Sequence, residues 1–342
     1  MLFPSNYRSP LSVRETEAAV KFIKDHFQTR LALALGLRRV SAPIAVSAKS
    51  GINDELTGVE RPVCFHVKST GEEAEIVQSL AKWKRAALAD YGFRAGEGLY
   101  ADMNAIRPDE ELDHLHSIYV DQWDWERVMK RGERNLAFLK DIVESIYRVM
   151  RETEKAVCRK YARLARPILP PRITFIHSEE LEARYPERSP VEREDAICKA
   201  RGAVFVIGIG AKLKDGLPHD GRAADYDDWS TPTGSGRRGL NGDILVWYPQ
   251  IGHALELSSM GIRVDAHSLG EQLKVRGETE KAKMPYHRRL ARGELPQTIG
   301  GGIGQSRLCM FYLRKAHIGE VQAGLWPTPM IGACRRANVH LL

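Results

Sequence analysis

The sequence predicts an α+β fold in which a mixed or antiparallel sheet is flanked by helices. Three observations carry this. Short β-prone runs recur along the chain, separated by long loops. Apolar stripes at helical spacing occur at the start, in the middle and at the end. Strands and helices do not alternate strictly, which disfavours a doubly wound parallel sheet. The 342 residues are read as one catalytic domain, 1–342, with a core over about 12–327 and a tail over 328–342.

Each element has a local cause. Ser12-x-x-Glu15 is a capping box that starts a helix, and Ala19, Ile23, Phe27 and Leu31 fall every four residues on its inner face. Val63, Phe65 and Val67 alternate with Cys64, His66 and Lys68, the pattern of a half-buried strand. Ser79 to Asp90 reads as a helix, and Ser117 to Trp125 as a β-prone run. Leu136, Leu139, Val143, Ile146, Met150 and Val157 form the stripe of a long helix that covers a sheet. Further strands are expected at Ile173–Ile176, Ala203–Ile207, Asp243–Trp247 and Ala254–Leu257, and a helix from Gln305 onward.

Composition narrows the class. Apolar residues make up 43% and charged residues 28% of the chain, a globular balance that supports a substantial core. No apolar run approaches a bilayer-spanning length, and the first residues lack a charged then apolar leader, so a cytoplasmic protein without a membrane partner is expected. The five cysteines are scattered, odd in number and never spaced CxxC, which argues against a disulfide framework or structural zinc and for buried or inert thiols. A net charge of +7 suits anionic partners. Without a long Lys/Arg block, no nucleic-acid partner is expected.

The strongest chemical signal is Gly300-Gly301-Gly302-Ile303-Gly304-Gln305-Ser306-Arg307. Glycines let a backbone approach a flat ligand and adopt φ > 0. A helix starting just after them offers free N–H groups to an anion. Arg307 then falls in the first helical turn, where its guanidinium can stack on a base or meet phosphate. The segment lacks the GK[ST] of a phosphate-binding loop, and Arg307 stands where a dinucleotide fingerprint needs its third glycine. Asp243 and Glu256 lie in apolar strand-like runs, where a carboxylate needs compensation. Magnesium shared with nucleotide phosphates is one solution, and a salt bridge to arginine is the other. With Arg263 close in sequence, the set points to MgATP. In an alternating strand Gln122 and Asp124 share one face, while Trp123 and Trp125 share the other and belong to the core.

The residues resemble a known family. Gly300 to Arg307 is similar to motif 3 of class II aminoacyl-tRNA synthetases, and Arg107 with the run His116 to Glu126 is similar to their motif 2. A closer resemblance is to ammonia-dependent aspartate–ammonia ligases, carried by Leu80 to Arg85, Gly96 to Tyr100, Tyr119 to Arg127, Asp225 to Ser230, Leu240 to Trp247, Glu256 to Val264 and Pro296 to Gly304. These strings run from about Asp54 to Pro327, and the segment 328–342 carries little of the resemblance. The resemblance implies a class II synthetase-like antiparallel sheet flanked by helices, and a homodimer. It also implies that aspartate, ATP and ammonia give asparagine, AMP and pyrophosphate through a β-aspartyl-adenylate.

The same resemblance assigns roles. Arg107 bridges the aspartate β-carboxylate and the α-phosphate, Lys84 binds the α-carboxylate, and Asp54 and Asp124 hold the substrate ammonium group. Gln122 orients the β-carboxyl group, with Ser79, Ser258 and Asp227 as further contacts to substrate. His116, Ser117, Asp243, Glu256, Ser259, Arg263, Gly302 and Arg307 form the ATP set, with Mg2+ on Asp243 and Glu256. Asp54 is the candidate to take a proton from ammonium. The rival reading is an aspartyl-tRNA synthetase-like enzyme or an RNA-binding paralogue. Motifs that begin so early leave no room for an anticodon-binding domain, and intact Arg107, Glu256 and Arg307 argue against a degenerate scaffold. A glutaminase half is disfavoured because the chain begins Met1-Leu2-Phe3 rather than with cysteine.

Overall fold

The computed structural model describes every residue except Met1, Leu2, Pro4, Ser5, Asn6, Gly58, Val59 and Ala165. Helix α1 (Val13–Leu35) starts at the expected box: the Glu15 N–H donates to Ser12 Oγ, and the Ser12 N–H donates to the Glu15 carboxylate. It stops where Gly36 enters the left-handed region at φ +67°. Strand β1 (Leu37–Arg39) follows, then a small antiparallel sheet of β2 (Ala45–Ser47), β3 (Cys64–Val67) and β4 (Glu72–Ile76) in the order β2-β4-β3. The strand read as half-buried is β3, but Cys64, Phe65 and His66 are all exposed. The alternation reported the pleat correctly; it carried no information on what covers the pleat.

Next come α2 (Ala81–Asp90), β5 (Gly98–Ile106), β6 (Tyr119–Val128), α3 (Leu136–Lys160), β7 (Thr174–His177), α4 (Ser178–Arg184), α5 (Pro190–Arg201) and β8 (Ala203–Ile207). A two-stranded ribbon of β9 (Pro232–Gly234) and β10 (Arg237–Arg238) precedes β11 (Asn241–Tyr248) and β12 (His253–Ile262). The chain ends through α6 (Ala266–Arg276), α7 (Pro285–Ala291), β13 (Thr298–Gly304), α8 (Gln305–Tyr312) and α9 (Thr328–Arg336). The main sheet has the order β1-β5-β6-β13-β12-β11-β8-β7. Its middle pairs are antiparallel, while the edge pairs β1–β5 and β7–β8 are parallel. No helix among the described residues is long and apolar enough to cross a membrane.

One face of the sheet is closed by α1, α3 and α8. Ile23, Phe27 and Leu31 of α1 and Val143, Ile146 and Met150 of α3 are fully buried there with Trp123 and Trp125, so the tryptophan face is as expected. On the other face α5 packs over β8, β11 and β12, and α2 over β5 and β6. That arrangement leaves one side of the middle strands open. The tail segment is also structured: Cys334 and Val339 are buried with Tyr7 and Ala316.

The glycine segment differs from its expectation. It is the central strand β13, paired with β6 and β12, and none of its glycines has positive φ. Side chains of the neighbouring strand require the glycines. A Cβ on Gly300 would lie 1.9 Å from Glu126 Oε2, and one on Gly302 would lie 2.0 Å from Gln122 Oε1. The close approach was anticipated, but it is made by protein side chains on β6.

Candidate active site

The open side of β6, β12 and β13 forms the floor of a cavity of about 320 Å³. The β5–β6 loop supplies one wall with Arg107, His116 and Ser117. The start of α2 supplies Ser79, and a loop before β9 supplies Arg222, Tyr226 and Asp227. Of the residues singled out in the sequence, the cavity also brings together Gln122, Asp124, Glu256, Ser259, Arg263, Gly302 and Arg307.

Four expected residues are not in its lining: Asp54, Lys84, Ser258 and Asp243. Each stands directly behind it. Lys84 is fully buried, pairs with Asp124 and donates to the Gly301 carbonyl at 3.1 Å. Ser258 Oγ donates to the Gly302 carbonyl at 2.9 Å and so braces the floor strand. Asp243 accepts from Arg222 at 2.6 Å. Asp54 caps α2, accepting from the Ala81 N–H at 2.9 Å, and the same N–H donates to Ser79 Oγ at 3.2 Å, which places the hydroxyl beside the carboxylate. Lys82 and Lys84 diverge as expected, Lys82 reaching Asp225 at 2.8 Å.

Charge is distributed unevenly over the cavity. Arg107 and Arg307 feel each other across it, and the Arg107 Nε has no protein partner. Glu110 is 3.9 Å from Arg107, and Glu256 is 3.5 Å from Arg307. Both are ion pairs too long to be good hydrogen bonds, so each guanidinium keeps hydrogen-bonding capacity for an added anion. At the other end the charges are paired: Lys84 with Asp124, and Arg263 with both Glu126 and Asp227. One end is therefore poised for an added anion, while the other is a polar nest in which two cations pair with three carboxylates.

Two groups escaped the sequence reading. Glu126 is fully buried, accepts from Arg263 and from Thr298 Oγ1 at 2.6 Å, and lies over Gly300. Its signal was present, because it follows Gln122 and Asp124 by the period of two on the same face. Arg222 sits between Asp243 and Asp227, at 2.6 and 3.8 Å. No local pattern marked it, since its partners are brought to it only by the fold.

No group of three or more His, Cys, Asp or Glu side chains among the described residues could hold a metal ion. Yet burial, together with Glu256 and Asp220, pushes the Asp243 carboxyl up to about 8, against the pull of Arg222. A buried carboxyl raised by a second carboxylate is a fit for a cation whose other ligands come from phosphates and water, as magnesium's do.

Comparison with known proteins accords with this geometry. The family model described as aspartate-ammonia ligase matches residues 14–338. The chain belongs to the aspartate–ammonia ligase family. Aspartate–ammonia ligase of Clostridium perfringens is 56% identical over 100% of this chain and 99% of its own. That of Bacillus cytotoxicus is 55% identical over 98% of this chain and 99% of its own. The family match extends beyond residue 327, into the segment read as a tail. Among solved structures, asparaginyl-tRNA synthetase from Pyrococcus horikoshii complexed with asparaginyl-adenylate superposes with a TM-score of 0.68 at 17% identity, covering 92% of this chain and 70% of that one. The Entamoeba histolytica enzyme with the same adenylate gives 0.67 at 14%, covering 91% and 66%. The fold is thus that of class II synthetases, with a mixed rather than wholly antiparallel sheet.

Proposed function

We propose that the chain joins ammonia to the β-carboxylate of L-aspartate at the expense of ATP, through a β-aspartyl-adenylate. The observation that carries this reading is the pair of guanidiniums, Arg107 and Arg307, at one end of the cavity, facing Asp124, Arg263 and Asp227 at the other, with Lys84 paired to Asp124 from behind. A triphosphate fits the first end and a zwitterionic amino acid the second.

In the first step a β-carboxylate oxygen attacks the α-phosphorus and pyrophosphate leaves. Arg107 stabilises the charge that develops where the two anions meet. Arg307 holds the outer phosphates or the adenine. Gln122, whose Oε1 lies over Gly302, orients the β-carboxyl group from the floor. Asp243 and Glu256 would hold Mg2+, which supplies further charge neutralisation when bound.

In the second step ammonium gives one proton through the Ser79 hydroxyl to the Asp54 carboxylate. The ammonia so formed attacks the acyl carbon, the C–O bond to AMP breaks, and the remaining surplus N–H proton goes to the departing phosphate. Asp54 does not line the cavity but Ser79 does, and the two side chains share the Ala81 N–H, so the Ser79 hydroxyl is the group that connects Asp54 to the cavity. We further propose a cytoplasmic homodimer, on the family resemblance alone; sedimentation at the mass of one 38.5 kDa chain would contradict the dimer.

The test is direct incubation with aspartate, MgATP and either ammonium or glutamine. Asparagine and AMP from ammonium are expected. ADP in place of AMP refutes the adenylate, and asparagine from glutamine alone refutes the nitrogen donor. Labelled aspartate transferred to tRNA would favour a synthetase.

A further inference from the structure

Behind the Ser79–Asp54 link lies a chain of buried charges that neither proposed step uses. Lys82 is 3% exposed, Asp225 1%, His287 1% and Asp54 0%, so water screens none of them. Lys82 Nζ donates to Asp225 Oδ2 at 2.8 Å and stands 3.9 Å from Asp54 Oδ1. His287 Nε2 lies 2.9 Å from the same Asp225 oxygen, and since a carboxylate only accepts, that nitrogen carries the proton. Asp54 Oδ1 and Asp225 Oδ1 have no hydrogen-bond partner. The elements meeting here are distant in sequence: the connection between β2 and β3, α2, the loop after β8, and α7.

A single cation is thus shared unequally between two buried carboxylates. Asp225 takes the nearer position and is further satisfied by His287. Asp54 receives what remains. This matches their opposite directions. Burial raises Asp225, but Lys82 and His287 overcome it and hold its carboxyl well below the usual range. Burial pushes the Asp54 carboxyl up to about 6, with Asp225 adding to the rise and Lys82, Ser79 and Arg263 opposing it. Burial works against the charge on Lys82, but Asp225 and Asp54 together keep its ammonium form favoured. Other ionisable groups around the chain are Glu55 and Lys281, which pair at 2.6 Å, and Tyr226 and Tyr286.

We propose that Lys82 is a positioning residue for amidation: held by Asp225 and His287, it sets the ionisation of Asp54 and so the pH at which ammonium is deprotonated. The proposal rests on Asp54 as proton acceptor. Ammonium loses a proton, the Asp54 carboxylate gains it, and Lys82 stays protonated throughout. Adenylation needs no proton acceptor at this position, so the device acts on one half-reaction only.

The two ends of the chain make opposite predictions. Lys82→Met removes the opposing cation, and the acid limb of ammonium-dependent asparagine formation moves to higher pH by about one unit or more. Asp225→Asn frees Lys82 for Asp54, and the limb moves to lower pH. The pH profile of aspartate-dependent pyrophosphate exchange stays in place in both, and its presence reports a folded site. If Lys82→Met does not fold, Asp225→Asn alone carries the signed prediction. A purely structural network lowers both half-reactions together and shifts neither limb. Limbs unshifted, or shifted in the same direction, overturn the role of Lys82. Asp54→Asn separates that failure from failure of the underlying reading: wild-type asparagine formation by Asp54→Asn removes the proton acceptor, and the role of Lys82 with it.

Discussion

Gly300→Ala and Gly302→Ala are the same change two residues apart on one strand, yet the structure assigns them different consequences. At Gly300 the new methyl would meet Glu126 Oε2 at 1.9 Å. That carboxylate cannot swing away freely, because Arg263 Nε and Nη2 donate to it at 2.9 to 3.1 Å and Thr298 Oγ1 at 2.6 Å. Displacing it separates a buried ion pair, which costs about 3–5 kcal/mol. With an unfolding entropy of about 2.1 cal/mol/K per residue, the 342-residue chain should lose roughly 4–7 °C in Tm. At Gly302 the methyl meets Gln122 Oε1 at 2.0 Å, the end of a flexible side chain over the open floor. Gln122 can turn aside there, so Tm should fall by only about 1–2 °C, in line with an overpacking cost of about 1 kcal/mol, while the KM for aspartate rises. Calorimetry and aspartate-dependent pyrophosphate exchange read the two outcomes. Equal Tm losses in the two variants, or a Gly300→Ala protein as stable as the parent, would refute the account of why this strand is made of glycine.

Four further outcomes follow from the site. Arg107→Ala should lower the pyrophosphate-exchange rate about 10²–10³-fold, the usual loss for one donor aimed at developing charge, whereas a change confined to KM would show that Arg107 only binds. Asp243→Asn should raise the Mg2+ concentration for half-maximal exchange about tenfold or more; an unchanged magnesium dependence removes Asp243 from the metal site. In the proposed second step Asp54 acts as the carboxylate, and burial pushes its carboxyl up to about 6. Plotted against total ammonium, asparagine formation should therefore be level above about pH 6 and fall below it, whereas a rise of about tenfold per pH unit throughout would mean that free ammonia is taken from solution. Asp54→Asn should lower ammonium-dependent amidation far more than β-aspartyl hydroxamate formation from hydroxylamine, which is already unprotonated at neutral pH. Equal losses would place Asp54 in adenylate formation.

Much of the site was legible because its groups lie in short contiguous strings. Gln122 and Asp124 against Trp123 and Trp125 needed only the two-residue period of a strand, and the first pair's place in the cavity and the second's in the apolar core bear out that division. The capping box and apolar stripe of α1 are likewise local. Legibility ended where partners come from distant segments. Arg222 carries no pattern of its own and gains its place from Asp243, a strand away. His287 joins Asp225 across 62 positions. The glycine strand shows a subtler limit: the residue type announced a close approach, but the object approached was Glu126 and Gln122, and only the β6–β13 register reveals that. β3 was found and misjudged, since alternation reports a pleat whether or not a layer covers it.

The central claim is that the cavity activates the β-carboxylate as an adenylate before nitrogen arrives. Aspartate labelled with oxygen-18 in its β-carboxyl group, incubated with MgATP and ammonium, tests this most directly by mass spectrometry of the nucleotide product. The account predicts AMP carrying one labelled oxygen and asparagine retaining the other. Labelled inorganic phosphate beside ADP, or unlabelled AMP, would contradict it.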